Sequence, residues 1–86
     1  MFIYDPRFPR WLQIVDEIKQ RIETGEYTPD TKLSEVSLEA EFDVSRPTIR
    51  KAMERLRDEG WVVTSQGVGS FPTTADERKR RASGER

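Results

Sequence analysis

The sequence predicts a mainly α domain closed by a small β-hairpin, and three observations carry that prediction. Two stretches, starting near Arg10 and Arg46, repeat apolar residues at helical spacing. A shorter apolar stripe, opened by a capping serine and broken by Asp43-Val44, lies between them. After Gly60 the pattern changes to β-branched and aromatic residues around a glycine-bearing turn. The chain has 86 residues, 34% hydrophobic and 36% charged, which allows one domain with a small core inside a solvated shell.

Residues 1–8 read as an irregular arm, because Pro6 and Pro9 exclude a helix running through them. The domain proper is expected over residues 9–72. Trp11, Ile14, Val15, Ile18 and Ile22 form the apolar face of a first helix, and Gly25 supplies a left-handed cap. Turn chemistry fills residues 26–31, and Lys32-Leu33 is a candidate short strand. A second helix is expected from Ser34, whose hydroxyl can cap it, with Leu38 and Phe42 facing inward. Asp43-Val44 breaks that helix. A third is expected over residues 46–59, capped by the Ser45 hydroxyl, with Pro47 in its first turn. Its inward stripe is Ile49, Ala52, Met53 and Leu56. Residues 61–65 then read as a strand, 66–69 as a turn, and Ser70-Phe71 as a return strand. Residues 73–86 lack an apolar period and are expected to form a flexible basic tail or linker stub.

Composition excludes whole classes of function. The chain has no cysteine and no histidine, so disulfides, thiolate metal sites and histidine-based catalysis are ruled out. No apolar run approaches the roughly 18 residues of a membrane span, and the N-terminus has no signal-peptide stretch. Asp16-Glu17 and Asp58-Glu59 are adjacent pairs, and adjacent residues on a helix face different ways. No phosphate-binding glycine loop or calcium loop is present. The expectation is a soluble, cytoplasmic binding domain with no enzymatic activity, cofactor, metal or membrane partner.

The net charge of −1 hides a polarity along the chain. Residues 1–42 carry five Lys/Arg against nine Asp/Glu, and residues 43–86 carry ten against seven. Helix three holds much of the positive charge. Arg46 and Arg50 are four apart and share a face beside Thr48, opposite the inward stripe. An α-helix fits the major groove of DNA, arginine can pair bidentately with guanine, and hydroxyls near a helix start suit phosphate oxygens. The plainer reading is a solvated charged face. Two features favour the groove: a short helix precedes helix three across a tight turn, as in a helix-turn-helix, and a glycine-tipped hairpin follows it.

The ordered segments Ile22-Glu23-Thr24-Gly25-Glu26, Pro29-Asp30-Thr31-Lys32-Leu33 and Val44-Ser45-Arg46-Pro47-Thr48-Ile49-Arg50-Lys51-Ala52 resemble the GntR-type winged helix-turn-helix repressors. The likeness continues through Leu56-Arg57-Asp58-Glu59-Gly60 and Gln66-Gly67-Val68-Gly69-Ser70-Phe71, and Ser45-Arg46-Pro47-Thr48 is most similar to the HutC-type branch. The resemblance implies a winged helix-turn-helix of three helices plus a wing. It further implies a homodimer bound to double-stranded DNA at a palindromic operator, acting as a bacterial transcriptional regulator and repressing by occupancy. By matching position it assigns groove and phosphate contacts to Ser45, Arg46, Pro47, Thr48 and Arg50, and Gly67 to the wing tip; Ser34, Lys51 and Gln66 stand beside them as further candidate DNA contacts. Arg46 and Arg50 would read bases, while Ser45, Thr48 and Lys51 hold the backbone.

The chain departs from the family pattern in four places. The proline usually found before Ser34-Glu35 is missing, and Val36 stands where a basic residue is expected. Thr64, Ser65 and Val68 replace common basic residues of the wing, and Glu39 replaces a small residue. In the family an effector-binding and dimerisation domain follows, and a sequence stopping at Arg86 leaves a minimal repressor and a fragment both open. A rival reading is a winged-helix protein-interaction module, in which Arg46 and Arg50 pair with a partner's carboxylates. Trp11 and Trp61 read as core packing or as base-stacking platforms. The run Arg78-Lys79-Arg80-Arg81 reads as a solvated linker or as a phosphate-binding arm.

Overall fold

The computed structural model describes residues 2–82. Among them the elements run α1 (Arg10–Glu23), α2 (Glu35–Phe42), α3 (Arg46–Asp58), β1 (Val62–Ser65), β2 (Gly69–Pro72) and α4 (Ala75–Ala82). The first five form a winged helix, with α1 and α2 packed on α3 and an antiparallel hairpin behind it.

Each helix forms where its apolar spacing can be buried. Ile14, Val15, Ile18 and Ile22 of α1 meet Ile49, Ala52, Met53 and Leu56 of α3 in the core, as their spacing predicts. Leu38 and Phe42 complete it from α2, with Leu33 and Val62 closing the hairpin side. The arm is fastened to this unit. The Gln13 side-chain amide donates to the Asp5 and Phe8 carbonyls, Tyr4 donates to the Phe42 carbonyl at 2.6 Å, and Phe2 packs edge-on against Phe42. Burial in this contact pushes the Tyr4 hydroxyl above its ordinary pKa.

The helix ends show which caps form. Ser34 Oγ accepts from the Ser37 N–H at 3.3 Å, as expected. Ser45 is the N-cap residue of α3, but its hydroxyl does not cap the first turn. It faces the Thr48 hydroxyl at 3.3 Å, while the Ser45 carbonyl accepts from Thr48 and Ile49. The sharp turn between α2 and α3 places Asp43 in the left-handed region at φ 52°, a conformation that aspartate tolerates better than most residues. Helix α3 stops at Asp58, one residue short of expectation, with Glu59 as its C-cap and Gly60 at φ 82° turning the chain into the hairpin.

The hairpin pairs Val62 with Pro72 and Ser65 with Gly69. Trp61, expected as the first strand residue, instead donates its N–H to the Leu56 carbonyl at the end of α3. Gly69 belongs to β2 and not to the turn. At the tip Gly67 takes φ 78°, which a side chain would strain. The short strand expected at Lys32-Leu33 reduces to a single bridge between Leu33 and Ser70.

Beyond the three helices and the wing, residues 75–82, expected as part of a flexible basic tail or linker stub, form a further helix, α4. Thr74 and Glu77 form a capping box: the Thr74 Oγ1 accepts from the Glu77 N–H at 3.1 Å, and the Glu77 carboxylate accepts from the Thr74 N–H at 2.9 Å. Arg78 and Arg81 then hold the helix to the joint between α3 and β1. Met1 of the arm and residues 83–86 of the tail lie outside the described residues.

Candidate nucleic-acid interface

Burial of one side of α3 decides what its other side can present. With Ile49, Ala52, Met53 and Leu56 inward, Arg46, Pro47 and Arg50 are exposed and Thr48 is half-buried at the start of the helix. Ser45 is exposed just ahead of them. The α2–turn–α3 unit therefore offers two arginines, two hydroxyls and the positive end of a 13-residue helix on one surface.

A cleft joins this surface to the hairpin. Lys32, Ser34, Glu35, Val36, Arg46 and Ser70 line it, so Ser34 and Arg46 are brought together with the start of β2. Lys32 was not singled out from the sequence. It runs along the Gly69 backbone, where a side chain on residue 69 would collide with it. Gln66 and Gly67 are exposed at the hairpin tip. Lys51 is not brought to the same face: its ammonium lies 4.7 Å from the centroid of the Trp11 indole, with Arg55 at 5.3 Å from the same ring. Trp11 and Trp61 are both half-buried against the core and covered by cations, which is the packing arrangement and not an open stacking platform.

Two carboxylates of α2 stand beside the arginines. Glu39 accepts from Arg46 Nε at 2.6 Å, and Glu35 from Arg50 Nε at 3.4 Å. The Glu39 hydrogen bond and charge raise the Arg46 pKa above its ordinary value. The signal was present as two pairs with equal spacing, 35 and 39 on α2 against 46 and 50 on α3.

A third ionic cluster is structural. Arg21 pairs with Glu17 at 2.9 Å and with Glu41, and it donates to the Tyr27 hydroxyl at 2.7 Å. Burial alone would lower the Arg21 pKa, but the bonds to Glu41, Glu17 and Tyr27 outweigh it and raise the value. Among the described residues no group of carboxylates is arranged to hold a metal ion, and no helix is long and apolar enough to cross a membrane.

Residues 11–71 match the family described as bacterial regulatory proteins, gntR family. The chain is 39% identical over 64 residues to the arabinose metabolism transcriptional repressor of Geobacillus stearothermophilus, covering 73% of this chain and 18% of that protein. It is 39% identical over 75 residues to the histidine utilization repressor of Klebsiella aerogenes, covering 83% of this chain and 31% of the relative. The chain thus spans about a fifth to a third of the length of these curated relatives. The crystal structure of AraR(DBD) in complex with operator ORX1 is similar at a TM-score of 0.75 and 35% identity, covering 84% of this chain and 93% of that one. A GntR family transcriptional regulator from Listeria monocytogenes gives a TM-score of 0.79 at 29% identity, covering 94% and 72%.

Proposed function

The chain belongs to the gntR family of bacterial regulatory proteins, and from that premise we propose that it binds double-stranded DNA sequence-specifically as a transcriptional regulator. Repression follows from occupying an operator, which requires no chemistry from the protein. The observation that carries this reading is the pair Arg46 and Arg50, exposed on one face of α3 at the end that a helix-turn-helix points into the major groove. A protein of similar fold has been crystallised with its operator, which supports the same use of this surface.

In this reading Arg46 and Arg50 pair with guanine O6 and N7. Ser34, Ser45, Pro47 and Thr48 lie against the backbone, where hydroxyls and first-turn N–H groups suit phosphate. Lys51 joins them only by leaving Trp11. The turn at Gln66 and Gly67 reaches the minor groove. The bound form is a homodimer on a palindromic operator in the cytoplasm. A protein-interaction module remains the rival, favoured by the fact that both arginines already hold carboxylates.

Selection of bound duplexes from a random pool tests the proposal. An enriched palindrome with guanines at matching half-site positions is the expected result. No enrichment, together with no binding to any duplex at low salt, would favour the rival.

A further inference from the structure

The two ion pairs between α2 and α3 differ in strength. Glu39 is the closer partner at 2.6 Å, and its side chain keeps only 25% of its exposure. Glu35 stands 3.4 Å from Arg50 and is more open. Both carboxylates take the arginine at Nε. A guanidinium has five N–H donors, so a carboxylate on Nε leaves the two terminal amino groups, an end-on fork able to meet guanine O6 and N7. A bidentate side-on contact to phosphate uses Nε and would require that bond to break. The Glu39 carboxylate also places negative charge beside any phosphate brought to Arg46, and such repulsion costs most where no base pairing compensates.

We propose that Glu39 is a positioning residue that sets DNA specificity, holding Arg46 by Nε so that its amino fork reads guanine while phosphate-only docking is penalised. This rests on the reading of α3 as the groove-facing helix. Glu39 serves as a filter more than as an anchor. Removing it frees Arg46 for any phosphate, so random DNA binds more tightly while the operator gains little.

The test compares binding to a duplex enriched by the parent protein with binding to a random-sequence duplex of equal length. Glu39→Gln should lower the ratio of the two affinities about tenfold, within the discrimination of one bidentate arginine–guanine pair. The change should come chiefly from tighter binding to the random duplex. Glu39→Asp keeps the charge and should recover part of the ratio. Glu23→Gln removes the same charge from α1 and should tighten both duplexes equally. If Glu39→Gln also shifts both by one factor, the effect is general charge and the role of Glu39 is overturned. In the parent bound to the enriched duplex, the Arg46 Nε–H resonance should keep its carboxylate-bonded position, and its loss there would overturn the inference without any variant. A parent that enriches no duplex overturns the reading of α3 itself, whereas an enriched duplex with an unchanged ratio overturns only Glu39.

Discussion

The Arg78 guanidinium lies 4.5 Å from the centroid of the Trp61 indole, and its Nη1 donates to the Thr73 carbonyl at 2.5 Å. Trp61 is the residue that carries the chain from α3 into the hairpin, so this contact ties α4 to the joint that sets the wing. Arg81 adds a bond to the Asp58 carbonyl, one of the acceptors left open at the end of α3. Arg78→Ala should therefore lower stability by about 1 kcal/mol, the scale of a partly desolvated cation–π contact. Urea unfolding followed by indole fluorescence checks this. Parent-like midpoint and emission in the variant would mean that α4 contributes nothing to the joint.

The capping box makes α4 sensitive to acid. The backbone and hydroxyl bonds to Thr74 hold the Glu77 carboxyl below the ordinary value of 4.5. A lowered folded-state pKa means the support is full above that value and is lost as pH falls through the lowered one. Helicity of α4 should drop on acidification below about pH 4.5, and Glu77→Gln should remove that step while keeping the helix. Thr74→Ala should cost about 1 kcal/mol at neutral pH. Residue-resolved NMR shifts over Ala75–Ala82 read both effects.

Leu56 is fully buried in the stripe of α3 that meets α1. Leu56→Ala should cost roughly 2–5 kcal/mol through lost transfer energy and the cavity left behind. That is comparable to the whole stability of a domain this small, about 5 kcal/mol. A calorimetric scan should show the variant largely unfolded at 37 °C, and a cooperative melt within a few degrees of the parent would contradict the packing.

The parts of the fold that depend on apolar burial were legible from periodicity. Ile14, Ile18, Ile49 and Leu56 could face only inward, and the helices followed from them. Helix α4 was not legible this way because no residue of it is buried. Its supports are a polar capping box and a cation on an aromatic ring. The Thr74-x-x-Glu77 spacing was visible and unused, whereas the Arg78–Trp61 contact depends on tertiary geometry. The Ser45 hydroxyl illustrates a competing local bond, since Thr48 stood one turn on and took it. At the candidate site the exposed positions of Arg46 and Arg50 were readable from the inward stripe opposite. The equal spacing of 35 and 39 against 46 and 50 allows their pairing with Glu39 and Glu35, but which carboxylate meets which arginine depends on how α2 crosses α3.

Binding energies of Arg46→Ala and Arg50→Ala, measured on the enriched duplex and on random DNA at one salt concentration, test the base-reading claim most directly. Each variant should lose about 1–3 kcal/mol on the enriched duplex, lose markedly less on random DNA, and show relaxed preference at one base position of each half-site. Equal losses on both duplexes, with base preference unchanged, would contradict it and leave these arginines as phosphate contacts alone.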